Sequence, residues 1–429
     1  MSISNEAYDD VVRVGIADEC QTTDILTADI EASNTEGSLI QAGIDEGIDI
    51  AESMEQMVTA LETIQDGSQF NELSSNLLYI GLNHMYKRAG FDNNIMQTVG
   101  LESWSESNEK TVSLESIKHT IGRIWEAIKK MLKNSIAWVS KHFVKVFSHA
   151  ARVKKRADAL KRAAQNIPGA PQVHDFDGGN LFLKLQCSGK VNPGAVDALN
   201  LETLTAKVLG QHSVDIEAIT TAVESSDENY FAALCKVFEF QYPYMKDHVG
   251  KVDNPELFGY PHIEKMKLLR SDEMPGGKAI FTVRYERLVF DRGIREIADN
   301  FHNLGSKLGE FNPEAPDYEA TNLPVLSKID IGKIADAVDK MMGAVVNYKN
   351  SVDVINRFKA RIIAKADSLG WDQEAEKDPN RAEFIKLKQK LIYMIPKLVD
   401  QPQSQYSVYI IKTCDALIDY CSKSLKQYS

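Results

Sequence analysis

The chain has 429 residues, of which 43% are hydrophobic, and a formal net charge of −12 at pH 7. This length and apolar content are enough for a sizeable core in two or three domains, which excludes a wholly disordered chain. The amino-terminal residues predict no secretory signal, and no apolar run is long enough to predict a membrane-spanning helix. Five scattered cysteines without a CxxC pair predict neither a disulfide framework nor a zinc knuckle, and they favour synthesis in a reducing cytoplasm.

Charge is distributed very unevenly along the chain. Residues 1–102 hold 19 Asp and Glu but only 3 Lys and Arg, a net of −16. Within this acidic part, apolar residues recur at helical spacing over 38–64 and again over 71–88, with carboxylates on the opposite side. The pattern predicts an acidic helical pro-region over residues 1–115.

The acidic part ends in a segment of unusual composition. Residues 99–116 read VGLESWSESNEKTVSLES and contain three tripeptides of the form small-x-Glu, ending at Glu102, Glu109 and Glu115. Small residues without apolar periodicity are typical of an extended, accessible segment, which a protease can cleave. A plain Ser- and Glu-rich linker followed by a helix N-cap fits the same residues. The composition of the segment leaves both interpretations open.

A long basic amphipathic helix is predicted for residues 116–167. Residues 116–165 hold 13 Lys and Arg against two acidic residues, a net of +11. At 100° per residue the apolar side chains fall on one face. The opposite face carries the cations that we select as candidate contacts with DNA or a membrane: Arg123, Lys129, Lys130, Lys133, Lys141, Lys145, Arg152, Lys155 and Arg162.

Three interpretations of this helix compete. It could be a core helix whose cations simply face water. With Trp125 and Trp138 on or beside the apolar face, residues 116–150 could instead lie in an anionic membrane interface. The same cations could neutralise DNA phosphates without reading base sequence.

The rest of the chain predicts a mostly α protein with a smaller α+β middle region. The middle region, 170–313, contains a predicted strand, two helices, a β-hairpin and a third helix, in that order: Leu181–Leu185, 199–209, 215–224, 262–290 and 294–308. Pro313 and Pro316 mark a linker. A C-terminal helical bundle, 320–429, is then predicted with four helices near 328–349, 351–369, 380–399 and 404–426.

No group of residues predicts catalysis, a cofactor or a metal site. His174, Asp175 and Asp177 are metal-ligand types, but further ligands are not evident and a turn is the better interpretation. The glycine-containing turn at Met274–Lys278 lacks Walker spacing. His142 and His149 are predicted to be packed or interfacial, and the Tyr406–Tyr409 segment to pack in a core. The chain is therefore predicted not to be an enzyme.

The acidic arm, the seam GLES…SLES and the segment SIKHTIGRIWEAIKKMLKNSIAWVSKHFVKVF together resemble the internal head proteins of large tailed bacteriophages. The resemblance covers mainly residues 95–150. It implies a precursor that is made in the host cytoplasm, enters the prohead core with other core or capsid proteins, and is trimmed there by the phage maturation protease. The implied location is the capsid interior, where the protein either binds packaged DNA non-specifically or, by analogy, is ejected with it.

Cleavage in that group follows a Glu in a small- or hydrophobic-residue-x-Glu motif. The implied scissile bonds are Glu102–Ser103, Glu109–Lys110 and Glu115–Ser116. Glu115–Ser116 is favoured, because a cut there removes nearly all of the acidic arm and leaves the basic helix at the new amino terminus. Two other classes remain as alternatives: a membrane-active or toxin-like protein masked by an acidic pro-region, and a cytosolic enzyme or regulator with a partner-binding helix.

Overall fold

In a computed structural model of the chain, the structure describes residues 146–210, 249–252, 254–258, 266–285, 305–319, 321–368 and 403–428, together with positions 53, 80, 81, 84, 87, 212, 214 and 217. The described ranges belong to a compact unit that spans Phe143–Ser429. Most of these residues are helical, and a smaller part forms antiparallel strands. The predicted fold class, mostly α with a smaller α+β part, is confirmed at this level.

Four helices build the main core of the unit. They are α1 (146–166), α3 (Val196–Gly210), α4 (Lys328–Ser368) and α5 (Gln403–Leu425), and a short helix α2 (Gly179–Leu185) packs against α5. In α1 one stripe of buried residues follows alternating steps of four and three, with Phe147 and His149 buried beside it: Val146, Ala150, Val153, Ala157, Leu160 and Ala164. This spacing keeps one stripe of the helix against its neighbours, and the three alanines let those neighbours approach closely.

The longest helix, α4, differs from the prediction of two helices near 328–349 and 351–369. It runs through Asn350 without a break, for 41 residues. Its buried stripe continues past that point, because Tyr348, Val352, Ile355 and Phe358 follow one another at steps of three and four. The N-terminus of α4 is fixed by Ser327, whose hydroxyl oxygen accepts a hydrogen bond from the Asp330 amide and donates one to the Asp330 carboxylate.

Two antiparallel sheets accompany the helices. The larger has the order β2 (Val249–Lys251), β3 (Met266–Ser271), β4 (Lys278–Tyr285) and β5 (Gly305–Glu310), and a 3₁₀ turn, Pro255–Phe258, lies between β2 and β3 in the chain. The smaller pairs β1 (Asp175–Asp177) with β6 (Asn322–Pro324). The predicted hairpin within 262–290 is thus confirmed as β3 and β4, and the predicted helices 199–209 and 404–426 correspond to α3 and α5.

Three further local predictions are wrong. Leu181–Leu185 is helical in α2 rather than a strand, since Leu181, Phe182 and Leu185 are buried, which is helical spacing. Residues 305–308 lie in β5 rather than in a helix over 294–308, because their backbone pairs with β4. The segment around Asp175 and Asp177 is strand β1 rather than a turn. The predicted helix 380–399 and residues 294–304 lie outside the described residues.

Candidate nucleic-acid interface

Helix α1 is the described part of the predicted basic helix, and it holds six cations. Three of them, Arg152, Lys155 and Arg162, are exposed, whereas Lys154, Arg156 and Lys161 are half-buried at the flanks of the apolar stripe. The first and last of these three exposed cations are ten positions apart, which corresponds to about 15 Å along the helix axis. The six cations therefore form two groups, one exposed to solvent and one at the flanks of the buried stripe.

The half-buried cations fasten α1 to the bundle. Lys154 lies 3.2 Å from an Asp339 oxygen, and Lys161 pairs with Asp336, so both lysines contact α4. Arg156 reaches α5, where its Nη1 donates to Asp415 at 2.6 Å and its Nη2 donates to Asp419 at 3.1 Å. These charges are already balanced by carboxylates, and their role is to position the helix.

Lysine 328 holds the C-terminal end of α1. Its Nζ donates hydrogen bonds to the carbonyl oxygens of Ile167 at 2.7 Å and Gly169 at 2.9 Å. These carbonyls lie just beyond the last turn of α1, where a cation is favourable because the backbone carbonyls there have no helical partners. Pro168 cannot continue the helix, since it lacks an amide hydrogen.

The ion pairs of α1 differ in their burial. The side chains of Arg156 and Asp415 are 16% and 11% exposed, whereas those of Lys154 and Asp339 are 41% and 33% exposed. Burial raises the pKa of the Asp415 carboxyl to about 6, against the lowering effect of Arg156, and the neighbouring Asp419 adds to the rise while Lys184 opposes it. The buried pair should dominate the energetics, because solvent screens the Lys154 pair.

The raised pKa of Asp415 gives a testable dependence of stability on pH. Between about pH 4 and 6 the Asp415 carboxyl is protonated in the folded protein but ionised in the unfolded chain. The stability that this proton contributes is therefore complete below pH 4 and is lost as the pH rises through 6. The difference in unfolding free energy between the wild type and Asp415→Asn should therefore fall by about 3 kcal/mol over this interval. Urea denaturation at pH 4, 5, 6 and 7 measures that difference. A difference independent of pH would contradict the assignment.

The outward cations have the exposure that an electrostatic interface requires. The guanidinium Nη2 of Arg152 lies 3.5 Å from Nδ1 of His149, whose ring is buried, so a buried side chain helps to orient this arginine. Lys155 and Arg162 form no ion pair with any residue that the structure describes. Such side chains can contact phosphates without breaking an existing ion pair.

The remaining candidate residues from the sequence lie outside the described residues. They comprise six cations of the basic helix and all residues of the three candidate scissile bonds: Arg123, Lys129, Lys130, Lys133, Lys141, Lys145, Glu102, Ser103, Glu109, Lys110, Glu115 and Ser116. For these positions the sequence remains the basis of the assignment.

Sequence reasoning missed the carboxylates that hold α1. Asp336 and Asp339 are three residues apart on α4, and Asp415 and Asp419 are four apart on α5. Like charges three or four residues apart repel each other on an isolated helix. An acidic pair beside an apolar stripe therefore indicates a neighbouring helix that supplies cations. That signal was present in the sequence of both C-terminal helices.

The other motifs of the sequence have structural roles. The amides of Gly276 and Gly277 donate to the Gln186 carbonyl oxygen at 2.9 and 3.2 Å, so this glycine turn contacts the end of α2. Asp175 accepts a hydrogen bond from the Asn322 side chain, and Asp177 accepts one from the Gly179 amide at the start of α2. Among the described residues, no group of three or more His, Cys, Asp or Glu residues is arranged to hold a metal ion.

The prediction that the Tyr406–Tyr409 segment packs in a core is confirmed. Tyr406 is fully buried, with its hydroxyl oxygen 3.0 Å from the Thr205 hydroxyl, and the Tyr409 hydroxyl donates to the Pro275 carbonyl oxygen at 2.9 Å. Cys414 and Cys421 are fully buried in α5 and pack as small apolar side chains. Neither tyrosine offers a face on which a base could stack.

Comparison with known proteins places the chain in a family. None of the helices that the structure describes is both long and apolar enough to cross a bilayer. No curated protein and no solved structure matches the chain. A family model described as phiKZ-like phage internal head proteins matches residues 28–423, which is most of the chain and includes much of the acidic arm, the seam and the basic helix. The chain therefore belongs to the phiKZ-like phage internal head proteins, whose place is inside the capsid of the virion.

Proposed function

We propose that this internal head protein is made as a charge-masked precursor, is cleaved in the prohead, and then contacts packaged DNA through the outward cations of its basic helix. The observation that carries the proposal is the division of charge on α1. Lys154, Arg156 and Lys161 pair with aspartates of the bundle, while Arg152, Lys155 and Arg162 are exposed. Exposed cations are the groups that can neutralise phosphates.

Cleavage would reverse the net charge of the protein. Residues 1–115 hold 22 Asp and Glu against 4 Lys and Arg, so the chain from Ser116 onward holds 39 against 45 and has a net charge of +6 instead of −12. Before cleavage the acidic arm repels DNA and attracts the basic helix. After cleavage a mildly basic protein remains, which is suited to a capsid filled with DNA.

The contact with DNA would be independent of base sequence. Lys and Arg side chains on the exposed face of a helix neutralise backbone phosphates and release counterions, so the affinity depends steeply on salt. Membership of an internal head protein family supports an association with other head proteins. We propose the phage maturation protease as its partner during assembly, and other core or capsid proteins as its neighbours.

The amino terminus of the protein in purified particles tests the proposed cleavage. We expect full-length chain in assembly precursors and a shortened chain beginning at Ser116 in mature particles, measured by amino-terminal sequencing and intact mass. A terminus at Ser103 or Lys110 would support processing at another seam position. A precursor carrying Glu115→Gln should lose the cut at Ser116, with Glu62→Gln as a matched control outside the seam. An intact amino terminus in mature particles would overturn the masking mechanism.

A further inference from the structure

Three lysines lie on elements that the structure packs together, α2, β4 with its preceding turn, and α5. Lys184 is near the end of α2, Lys278 begins β4, and Lys412 lies in α5. Lys184 is exposed, whereas Lys278 and Lys412 are half-buried. Burial lowers the pKa of Lys412, and the positive charges of Lys184 and Lys278 lower it further. Like charges that are brought together in this way oppose folding unless something compensates for them.

The surrounding backbone keeps the lysine cluster (Lys184, Lys278 and Lys412) in place. The turn before Lys278 is joined to α2 by the Gln186 carbonyl oxygen, which accepts the Gly276 and Gly277 amides, and to α5 by the Tyr409 hydroxyl, which donates to Pro275. Gly276 has φ +76°, and a Cβ there would lie 3.3 Å from the Lys184 carbonyl oxygen. The three lysines are thus attached to one close packing of α2, the turn and α5.

The carboxylates near the cluster are engaged elsewhere, with one exception. Glu310 pairs with Lys278 at 3.0 Å, and both side chains are partly exposed. Glu273 accepts hydrogen bonds from the amide and the hydroxyl of Ser188, and Asp415 is bound by Arg156. Within the described part of the chain, Lys184 and Lys412 have no ion-pair partner. The cluster therefore carries excess positive charge.

We propose that the lysine cluster binds phosphate oxyanions, supplied either by the DNA backbone or by free phosphate. Three long, positively charged side chains on adjoining elements can reach one oxyanion, and the half-buried position of Lys412 strengthens the attraction because fewer water molecules screen it. Lys278 can exchange the exposed Glu310 for the anion at small cost, since exposed pairs contribute little. If DNA supplies the phosphate, the site is a second DNA contact, separate from the cations of α1, and this part of the proposal rests on the proposed function.

Acylation of individual lysines tests the site in the full chain after residues 1–115 have been released through a specific protease site inserted between Glu115 and Ser116. The protein is treated with an amine-reactive acetylating reagent in NaCl alone, with inorganic phosphate, or with a 20-bp DNA duplex, all at equal ionic strength. Mass spectrometry then gives the rate of acylation at each lysine. Bound phosphate should slow the acylation of Lys184 and Lys412 about tenfold at ten times its dissociation constant. Lys423, exposed on the same helix and about 16 Å further along it, is the reference.

The outcomes separate this proposal from the proposed function. Protection by the duplex alone identifies DNA as the source, and protection by inorganic phosphate identifies the free anion. Protection of Lys155 by the duplex reports DNA contact through α1, whatever happens at the cluster. Unchanged rates at Lys184 and Lys412 with both ligands would overturn the lysine cluster as a phosphate site, while protected Lys155 would leave the proposed function standing.

A pair of variants checks the same conclusion by affinity. Lys184→Gln with Lys412→Gln should abolish phosphate protection of Lys278, and it should reduce the slope of log affinity for the duplex against log salt by about 2. Lys349→Gln with Lys423→Gln removes the same charge from exposed positions outside the cluster and should change neither. Circular dichroism establishes that both double variants are folded. Equal effects of the two double variants would show that the cluster acts only as general surface charge, which would contradict the proposal.

Discussion

Replacing Arg156 with Met should lower the free energy of unfolding by about 3 kcal/mol at pH 7, because the change leaves Asp415 buried without its cation. The Asp415 side chain is 11% exposed, and the like-charged Asp419, which also pairs with Arg156, raises the pKa of Asp415 further. The loss should shrink towards pH 4, where the Asp415 carboxyl is protonated and needs no partner. Urea denaturation, monitored by circular dichroism, measures this loss of unfolding free energy.

Two further variants separate the buried charge from general loss of packing. Asp415→Asn in the Arg156→Met background should recover part of the stability, since no buried carboxylate then remains. Lys154→Met breaks the more exposed pair with Asp339 and should cost about 1 kcal/mol or less. Equal losses for Arg156→Met and Lys154→Met, or no recovery in the double variant, would show that the Arg156 network does not dominate the electrostatic attachment of α1 to the bundle.

The second large effect concerns DNA. Arg152→Gln, Lys155→Gln and Arg162→Gln together should weaken binding of a 20-bp duplex about 100-fold at 0.1 M salt, and should reduce the slope of log affinity against log salt by up to about 3. The full chain is used, with a recognition sequence for a specific protease inserted between Glu115 and Ser116, so that the arm can be released after folding. Binding is measured by fluorescence anisotropy before and after release.

The matched control removes three cations from other surfaces. Lys207→Gln, Lys349→Gln and Lys423→Gln lower the net charge equally, but these lysines lie on α3, α4 and α5. We expect this variant to bind with nearly the wild-type slope. Before release of the arm, both variants and the wild type should bind weakly. A wild-type slope for the α1 variant would exclude its outward cations as the DNA contact, and strong binding by the uncleaved chain would exclude masking by the arm.

The sequence allowed good prediction of those elements whose pattern is long. The stripe of α1 and the helices α3 and α5 follow from apolar residues that repeat over several turns, and the hairpin of β3 and β4 from its turn residues. Leu181–Leu185 failed because five residues are too few to distinguish alternation from helical spacing. β5 failed because its sequence, GSKLGE, has weak strand propensity, and its conformation depends on pairing with β4.

The candidate interface could be predicted only in part. Helical periodicity placed Arg152, Lys155 and Arg162 on the outward face, and the structure describes all three as exposed. The same periodicity could not reveal which cations would be neutralised, because the partners of Lys154, Arg156 and Lys161 are far away in sequence. The lysine cluster was equally hidden, since its members come from three elements that are brought together only by tertiary packing.

The ion pair between Arg156 and Asp415 also bears on the order of events during synthesis. The two residues are separated by 259 positions. At ribosomal rates of about 5–20 residues per second, Asp415 is made roughly 13–50 s after Arg156. For that interval the basic helix lacks the aspartates of α5 that later neutralise Arg156. The acidic arm precedes the helix in the chain, so under the proposed masking the nascent chain carries its own counter-charge from the start.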